Sequence, residues 1–263
     1  MKPLEFCVVD SMDGTDPELY PYLPYILQDI WELGSDPAAI SNLITEHFGT
    51  EAKNKKVLDI GCGKGTVCVR IALDHGCFCT GIDAISEFIM DACNLAKRLG
   101  VEHRCNFEVG DIRQLTNELR NFDIVIFGST GSIFDDYFQA LIKISCCLTQ
   151  NGIVILDEGY TEDDNDYCHP SVYKNSDLIE QFNRAGFQLL KQVIIKKEEM
   201  ESKDDYMFDR IVKRCNELAT IHPEKKKLFL DYILNQKNEF ELLHHEIVAA
   251  TMVLKKRRLN KTL

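Results

Sequence analysis

Residues 57–65 read Val-Leu-Asp-Ile-Gly-Cys-Gly-Lys-Gly, and this stretch decides the fold. A short apolar run ends in three glycines at alternate positions, and a helical pattern of apolar residues follows them. A strand, a glycine turn and a helix in that order are typical of a nucleotide-binding loop, because residues without a Cβ atom let a ligand approach the main chain. The N-terminus of the helix directs its N–H groups and its positive dipole end to the same place.

A second acidic residue stands where such a site needs one. Asp83 follows a predicted second strand, 77–82, and lies 22 positions after Gly61. In an open α/β sheet, an acid at this distance holds the ribose hydroxyls of a bound nucleotide. An ordinary turn aspartate is the alternative, but two signals in the right order favour a binding role.

Two kinds of ligand remain open for the glycine turn. A dinucleotide fingerprint is Gly-x-Gly-x-x-Gly, and Thr66 occupies the position of its third glycine. Asp59 lies just before the turn, and its carboxylate disfavours a pyrophosphate and favours a cationic ligand. An NAD(P)-dependent oxidoreductase, which would hold a pyrophosphate in this turn, is therefore less favoured than an enzyme with a cationic ligand.

The segment Asp59–Gly65 resembles the first motif, acid-x-Gly-x-Gly-x-Gly, of the class I (Rossmann-like) S-adenosylmethionine-dependent methyltransferases. The resemblance implies that the cofactor is S-adenosyl-L-methionine. It also implies that Asp111 accepts a hydrogen bond from the adenine amino group and that Ile112 packs on the adenine ring; an ordinary turn is the alternative for Asp111. The complete set of candidate cofactor-binding residues is Asp59, Gly61, Cys62, Gly63, Gly65, Asp83, Ala84, Asp111, Ile112, Gly128 and Ser129.

The same resemblance implies the fold class, which is α/β. It predicts a doubly wound, mostly parallel sheet of seven strands in the order 3-2-1-4-5-7-6, with the last strand antiparallel. The predicted organisation is a helical cap (1–50), an S-adenosylmethionine-binding core (51–195), a helical insert (196–245) and the last strand with a basic tail (246–263). Helices are expected over 18–33 and 37–48 in the cap, and over 207–218 and 223–234 in the insert, after an exposed, charge-dense segment 196–205.

The cap and the insert are the candidates for shaping the substrate site. In the resembled family, N-terminal helices commonly fold over the cofactor, so the aromatic residues Tyr20, Tyr22, Tyr25 and Trp31 either line a lid or pack as ordinary core. The insert either covers the substrate or forms the contact of a homodimer. The sequence does not separate these two roles.

Two residues are candidates for catalysis. Methyl transfer is an in-line displacement at carbon, so the enzyme mainly aligns the reactants and excludes water. Glu158, after the fifth strand, is a candidate substrate-facing carboxylate or base, and His169 has a suitable ordinary pKa for a base. The alternatives are a solvated loop acid and an exposed loop histidine.

The segment after the fourth strand helps to choose the acceptor. It reads Gly-Ser-Thr-Gly over 128–131, which is not the Asp/Asn-Pro-Pro-aromatic motif of enzymes that methylate nucleic-acid amino groups. The paired-glutamate loop of the protein arginine branch is also not recognisable, so we favour a small-molecule acceptor. Since no sharp catalytic motif is present, a non-catalytic S-adenosylmethionine-binding protein stays open as an alternative.

Composition limits the partners. The chain has 263 residues and a net charge of −12, which argues against nucleic acid as a partner. No apolar stretch approaches the roughly 18 residues of a membrane span, so no membrane partner is expected. The eleven cysteines lack zinc-site spacing and no secretory leader is recognisable, so we expect free thiols, a cytoplasmic location and no metal site.

Overall fold

A seven-stranded sheet forms the centre of the computed structural model, which describes residues 2–128, 133–167 and 172–257. The strands are β1 (Lys56–Ile60), β2 (Phe78–Asp83), β3 (Cys105–Val109), β4 (Phe122–Gly128), β5 (Leu148–Tyr160), β6 (Phe187–Ile194) and β7 (Val248–Lys256). Their order is β3-β2-β1-β4-β5-β7-β6, with β7 antiparallel to β5 and β6 and the remaining pairs parallel. The predicted fold class and strand order are confirmed.

Helices cover both faces of this sheet. They are α1 (Leu4–Asp10), α2 (Leu23–Ile26), α3 (Pro37–Phe48), α4 (Thr66–His75), α5 (Ser86–Arg98), α6 (Ile112–Leu115), α7 (Tyr137–Ser145), α8 (Asn175–Arg184), α9 (Lys197–Ile221) and α10 (Lys226–His245). Val57 and Ile124 pack with α3, α4 and α5, whereas Leu58 and Val125 pack with α7 and α8. Successive strand residues point to opposite faces, so two buried faces require strands that are apolar throughout.

The order of the strands reverses between β1 and β4, which are hydrogen-bonded neighbours. Because parallel strands end at the same edge, the loops after β1, β4 and β5 meet there, and a ligand-binding crevice is expected at this point.

The N-terminal cap differs from its prediction. The single helix expected over 18–33 is wrong: a 3₁₀ helix (Pro17–Tyr22) leads into the short α2, and turns follow. Pro21 and Pro24 explain the break, because proline has no N–H to donate in a helix. The helix α3 agrees with its prediction, and Asp36 caps it by accepting from Ala38 N at 2.8 Å and Ala39 N at 3.0 Å. The helix α1 was not predicted.

The insert consists of two long helices. The segment 196–205, predicted as exposed and charge-dense, forms the first part of α9 from Lys197 onward, and Lys197 pairs with Glu201 at 3.9 Å along it. Lys and Glu are good helix formers, and this i,i+4 spacing stabilises a helix further. Cap and insert share a hydrophobic cluster, which includes Leu23, Ile26, Ile211 and Phe229.

The insert leaves and rejoins the sheet at one place. It connects β6 to β7, which are antiparallel neighbours, and Ile195 N donates to Ala249 O at 2.9 Å. Within the described residues, no helix combines the length and the apolar composition needed to cross a lipid bilayer.

Candidate active site

The glycine loop leaves β1 in a backbone conformation that suits glycine. Gly61, Gly63 and Gly65 have φ angles of 73°, 50° and 73°. A side chain is strained at such angles, so alternate glycines let the chain turn sharply into α4. The loop is fastened to the end of β2, because Gly61 N and Cys62 N both donate to Ile82 O, at 2.9 and 3.0 Å.

The Asp83 side chain also holds the glycine loop against the end of β2. Its Oδ2 atom accepts from Gly63 N and its Oδ1 atom accepts from Ile85 N, both at 2.9 Å. The carboxyl group is buried, and this burial raises its pKa although both hydrogen bonds act in the opposite direction. Asp83 therefore organises the loop in addition to lining the cleft beside it.

Asp59 is the most deeply enclosed of these acids. It is buried at the end of β1, and the Cys68 thiol donates to its Oδ2 atom at 3.4 Å. Burial raises the pKa of Asp59 to about 7, and the neighbouring Asp83 carboxyl adds to the rise. No cation lies against it among the described residues, so a cationic ligand in the cleft would favour its ionised form.

Asp111 begins the short helix α6 and is held by an arginine that sequence analysis did not identify. Arg113 donates to both carboxylate oxygens, at 2.8 and 2.7 Å, and the guanidinium holds the pKa of Asp111 below its usual range. The same guanidinium donates to Lys2 O at 2.9 Å and contacts Cys7 Sγ at 3.0 Å. Arg113 thus joins α1 and the N-terminal segment to the cleft.

Lys64 is the second residue that sequence analysis missed. Its side chain is only 1% exposed, and its ammonium group donates to Leu27 O at 2.7 Å and Gln28 O at 3.1 Å. Asp91 Oδ2 lies 3.9 Å away, and burial lowers the pKa of Lys64. The lysine therefore connects the glycine loop to the cap. No local sequence pattern predicts this contact, because its partners are main-chain carbonyls.

Most of the predicted cofactor residues come together in one cleft. Gly65 does not line it: a Cβ atom there would lie 2.7 Å from Ala92 Cβ and from Phe107 Cζ, so Gly65 serves packing behind the loop. Ser129 falls outside the described residues. The predicted residues that do line the cleft are Asp59, Gly61, Cys62, Gly63, Asp83, Ala84, Asp111, Ile112 and Gly128.

A second and larger cavity adjoins the cleft. Its volume is ≈ 1720 Å³, and it lies between the cap, the ends of β4 and β5, and the helices α9 and α10. Four residues of the cap line both the cleft and the larger cavity, so the cap forms the boundary between them: Ser11, Met12, Trp31 and Leu33. Of the four cap aromatics, Trp31 lies at this boundary, whereas Tyr22 packs against Phe229 with 5.0 Å between the ring centroids.

Two acids at the end of β5 face this cavity. Asp157 is buried and accepts from Thr251 Oγ1 at 3.0 Å and from the Ser35 side chain. Glu158 is hydrogen-bonded to the side chain of Tyr137 and accepts from Gly159 N at 3.1 Å. Burial raises the pKa of both carboxyl groups.

The other catalytic candidate, His169, falls outside the described residues. Gly128 marks where the two spaces approach each other, because a Cβ atom there would lie 2.5 Å from Ser35 Oγ and 2.8 Å from Asp157 Cβ. Among the described residues, no three His, Cys, Asp or Glu side chains cluster as metal ligands would, and the ten described cysteines are unpaired.

Comparison with known proteins places the chain in a family. A family model described as "Methyltransferase domain" matches residues 51–212, which is more than half of the chain. The chain belongs to this family. The methyltransferase-domain match starts just before β1 and ends within α9, so it contains the glycine loop and the ends of β4 and β5.

Relatives and solved structures agree with this membership. Two relatives from Rauvolfia serpentina are norajmaline N-methyltransferase, 40% identical over 74 residues, and ajmaline N-methyltransferase, 34% identical over 101 residues. The matches cover 28% and 36% of this chain and span only 25% and 35% of those relatives' own lengths. A solved S-adenosylmethionine-dependent methyltransferase from Geobacter sulfurreducens, in complex with S-adenosyl-L-homocysteine, shares the fold with a TM-score of 0.73 and 16% identity, covering 90% of this chain and 98% of that chain.

Proposed function

We propose that this protein is an S-adenosylmethionine-dependent methyltransferase that transfers a methyl group to a small-molecule acceptor. One observation carries the proposal: Asp59, Asp83 and Asp111, from the ends of three neighbouring strands, line one cleft with the glycine loop. Membership of the methyltransferase-domain family supports it, as do relatives that are named methyltransferases.

The described residues fit the proposed cofactor. Asp59, a buried carboxyl group with no cationic partner among the described residues, would suit an ammonium group, and Asp83 would hold the ribose hydroxyls. Asp111 and Ile112 would receive the adenine, with Arg113 keeping the Asp111 carboxylate ionised and oriented. When bound, S-adenosylmethionine supplies a methyl group made electrophilic by its sulfonium.

The protein's own contribution would be alignment, exclusion of water and proton transfer. Lys64 holds the cap against the glycine loop, so the cap would shield the reaction from solvent. Glu158 faces the larger cavity with a raised pKa, which suits a group that takes a proton from an acceptor near neutral pH. A role for His169 stays a prediction.

Calorimetry tests the cofactor directly. We expect S-adenosylmethionine and S-adenosylhomocysteine to bind at sub-millimolar concentration and NAD(P) to give no heat. Binding of NAD(P) in place of both compounds would reject the proposal. Turnover, followed by mass spectrometry of methylated acceptors, separates an enzyme from the non-catalytic alternative, which would bind the cofactor and methylate nothing.

The remaining expectations about partners are also proposals. The insert lines the larger cavity, and this supports its role in covering the substrate. A homodimer contact through the insert is the alternative, and light scattering at several protein concentrations tests it. The lack of a nucleic-acid partner stays a prediction, supported by the net charge of −12. The cytoplasmic location also stays a prediction, based on the cysteine content.

A further inference from the structure

The larger cavity combines an aromatic wall with an unusual charge. Its described lining holds thirteen Asp or Glu residues and one lysine, whereas the whole chain holds 42 acidic and 30 basic residues. That lysine, Lys203, is already paired with Asp36 at 2.5 Å and Glu32 at 3.7 Å. Two further acids pair with cations outside the lining, Asp29 with Arg214 at 2.7 Å and Glu199 with Lys196 at 3.4 Å. The acidic residues still outnumber these cations, so the space keeps a negative potential.

Two carboxyl groups in this wall have no basic partner among the described residues. Asp13, held at a φ of 60°, accepts from Gln236 Nε2 at 2.9 Å, and Glu158 is hydrogen-bonded to the Tyr137 side chain and to Gly159 N. Both line the cavity, with Asp13 exposed and Glu158 half-buried. Burial raises the pKa of Glu158, and the charges of Asp157 and Glu239 add to the rise.

Aromatic rings line the same space. A cation bound between carboxylates and ring faces is stabilised by both, whereas an anion would meet repulsion from every side. A neutral polar ligand would gain little electrostatic stabilisation from this negative potential. The aromatic residues in the wall are Trp31, Phe127, Phe134, Tyr137, Tyr167, Tyr173, Tyr206, Tyr232 and Phe240.

We propose that the acceptor is an amine with a bulky apolar body, bound as its cation between Asp13, Glu158 and the aromatic wall, and methylated on nitrogen. This inference rests on the proposed function, because it identifies the substrate class of the same site. The bound ammonium first gives a proton to the Glu158 carboxylate. The freed nitrogen lone pair then forms the new bond to the methyl carbon while the carbon–sulfur bond breaks, and that electron pair remains on sulfur as S-adenosylhomocysteine.

A matched set of probes tests the substrate class by binding alone. Naphthylethylamine, naphthylethanol and naphthylpropionic acid share one apolar body and differ in charge. Calorimetry without cofactor should show the amine binding at least roughly 10-fold more tightly than the alcohol, because charge-assisted hydrogen bonds are stronger than neutral ones. The acid should bind most weakly. Equal or tighter binding of the alcohol or the acid would overturn the inference.

Single variants locate the subsite. We expect Asp13→Asn and Glu158→Gln each to weaken amine binding by roughly 10-fold and to leave alcohol binding unchanged. The control is Glu102→Gln, an exposed residue before β3 that is remote from the cavity. Unchanged amine affinity in both folded variants would refute the assignment.

Binding of S-adenosylhomocysteine, measured on the same samples, keeps the two proposals apart. Amine preference without cofactor binding would contradict the proposed function and leave the cation subsite standing. Cofactor binding without amine preference would overturn only the inference about the acceptor.

Discussion

Replacing Lys64 by methionine should release the cap from the glycine loop. Methionine keeps a long apolar stem, but the carbonyls of Leu27 and Gln28 lose donors at 2.7 and 3.1 Å. Each hydrogen bond from a charged group is worth about 1.5–3 kcal/mol. The variant also removes the cost of burying an ammonium group, which is the cost that lowers the pKa of Lys64. The expected net loss is therefore about 2–3 kcal/mol of unfolding free energy.

The size of the chain converts this loss into a measurable shift. For a protein of this length, 1 kcal/mol moves Tm by about 2–4 °C, so scanning calorimetry should show a decrease of about 5–10 °C. Hydrogen exchange should speed up around α2 and the turns after it, and affinity for S-adenosylhomocysteine should fall with the loosened cap. The control is Lys97→Met on the exposed face of α5.

A Lys64→Met protein that melts within about 1 °C of the Lys97→Met control would refute this reasoning, since that shift is worth less than one ordinary hydrogen bond. Such a result would mean that water replaces the ammonium group at no cost.

Three other changes test the cleft. Gly65→Ala forces a side chain to a φ of 73° and against Ala92 and Phe107, so it should cost at least about 1–2 kcal/mol in thermal unfolding. Asp83→Asn places an amide where Gly63 N and Ile85 N each need an acceptor and would remove the proposed ribose contact, so calorimetry should show cofactor affinity reduced roughly 10- to 100-fold. The pKa of Asp59 is raised from 3.8 to about 7, so its contribution to stability is present at acid pH and is lost as pH rises through about 7. A cationic ligand favours the ionised form, so cofactor binding below about pH 7 should release a proton, measurable in buffers of different ionisation enthalpy.

Each of these three tests has an outcome that contradicts it. Gly65→Ala with wild-type Tm would show that the loop accepts a side chain. Unchanged cofactor affinity in Asp83→Asn would remove that carboxylate from the binding site. Proton release that persists in Asp59→Asn would assign the titration to another group.

The central fold was predictable because its signals are local. The alternation of the two faces is hidden in β1 and β4, because residues 57–58 and 124–127 are all apolar, but the glycine loop and Asp83 identify the strands and their order along the chain. The cap was not predictable in detail, because apolar spacing over 18–33 suggests a helix that Pro21 and Pro24 interrupt. In the insert, charge density concealed a helix whose neighbours four residues apart pair with each other.

The site was predictable only where main-chain conformation or strand ends define it. Asp59, Asp83 and Asp111 lie at or just after the ends of β1, β2 and β3 and come together for that reason. Lys64 was missed because its partners, the carbonyls of Leu27 and Gln28, are distant in the chain and carry no residue-type signal. Arg113 pairs with the nearby Asp111, but its link to the N-terminal segment goes to the Lys2 carbonyl, which no local pattern indicates. The large cavity was also missed, since it arises from the packing of cap against insert.

The antiparallel return of β7 beside β6 has a consequence for how acceptor preference can change. Ile195 and Ala249 are hydrogen-bonded, so the segment between them is an insertion whose two ends lie next to each other in the sheet. Since the entropic cost of closing a loop grows only slowly with its length, insertions of different size can be grafted there while the strand register is retained. Under the proposed role of the insert in covering the acceptor, transplanting α9 and α10 from a relative would alter what is methylated without rebuilding the cofactor cleft.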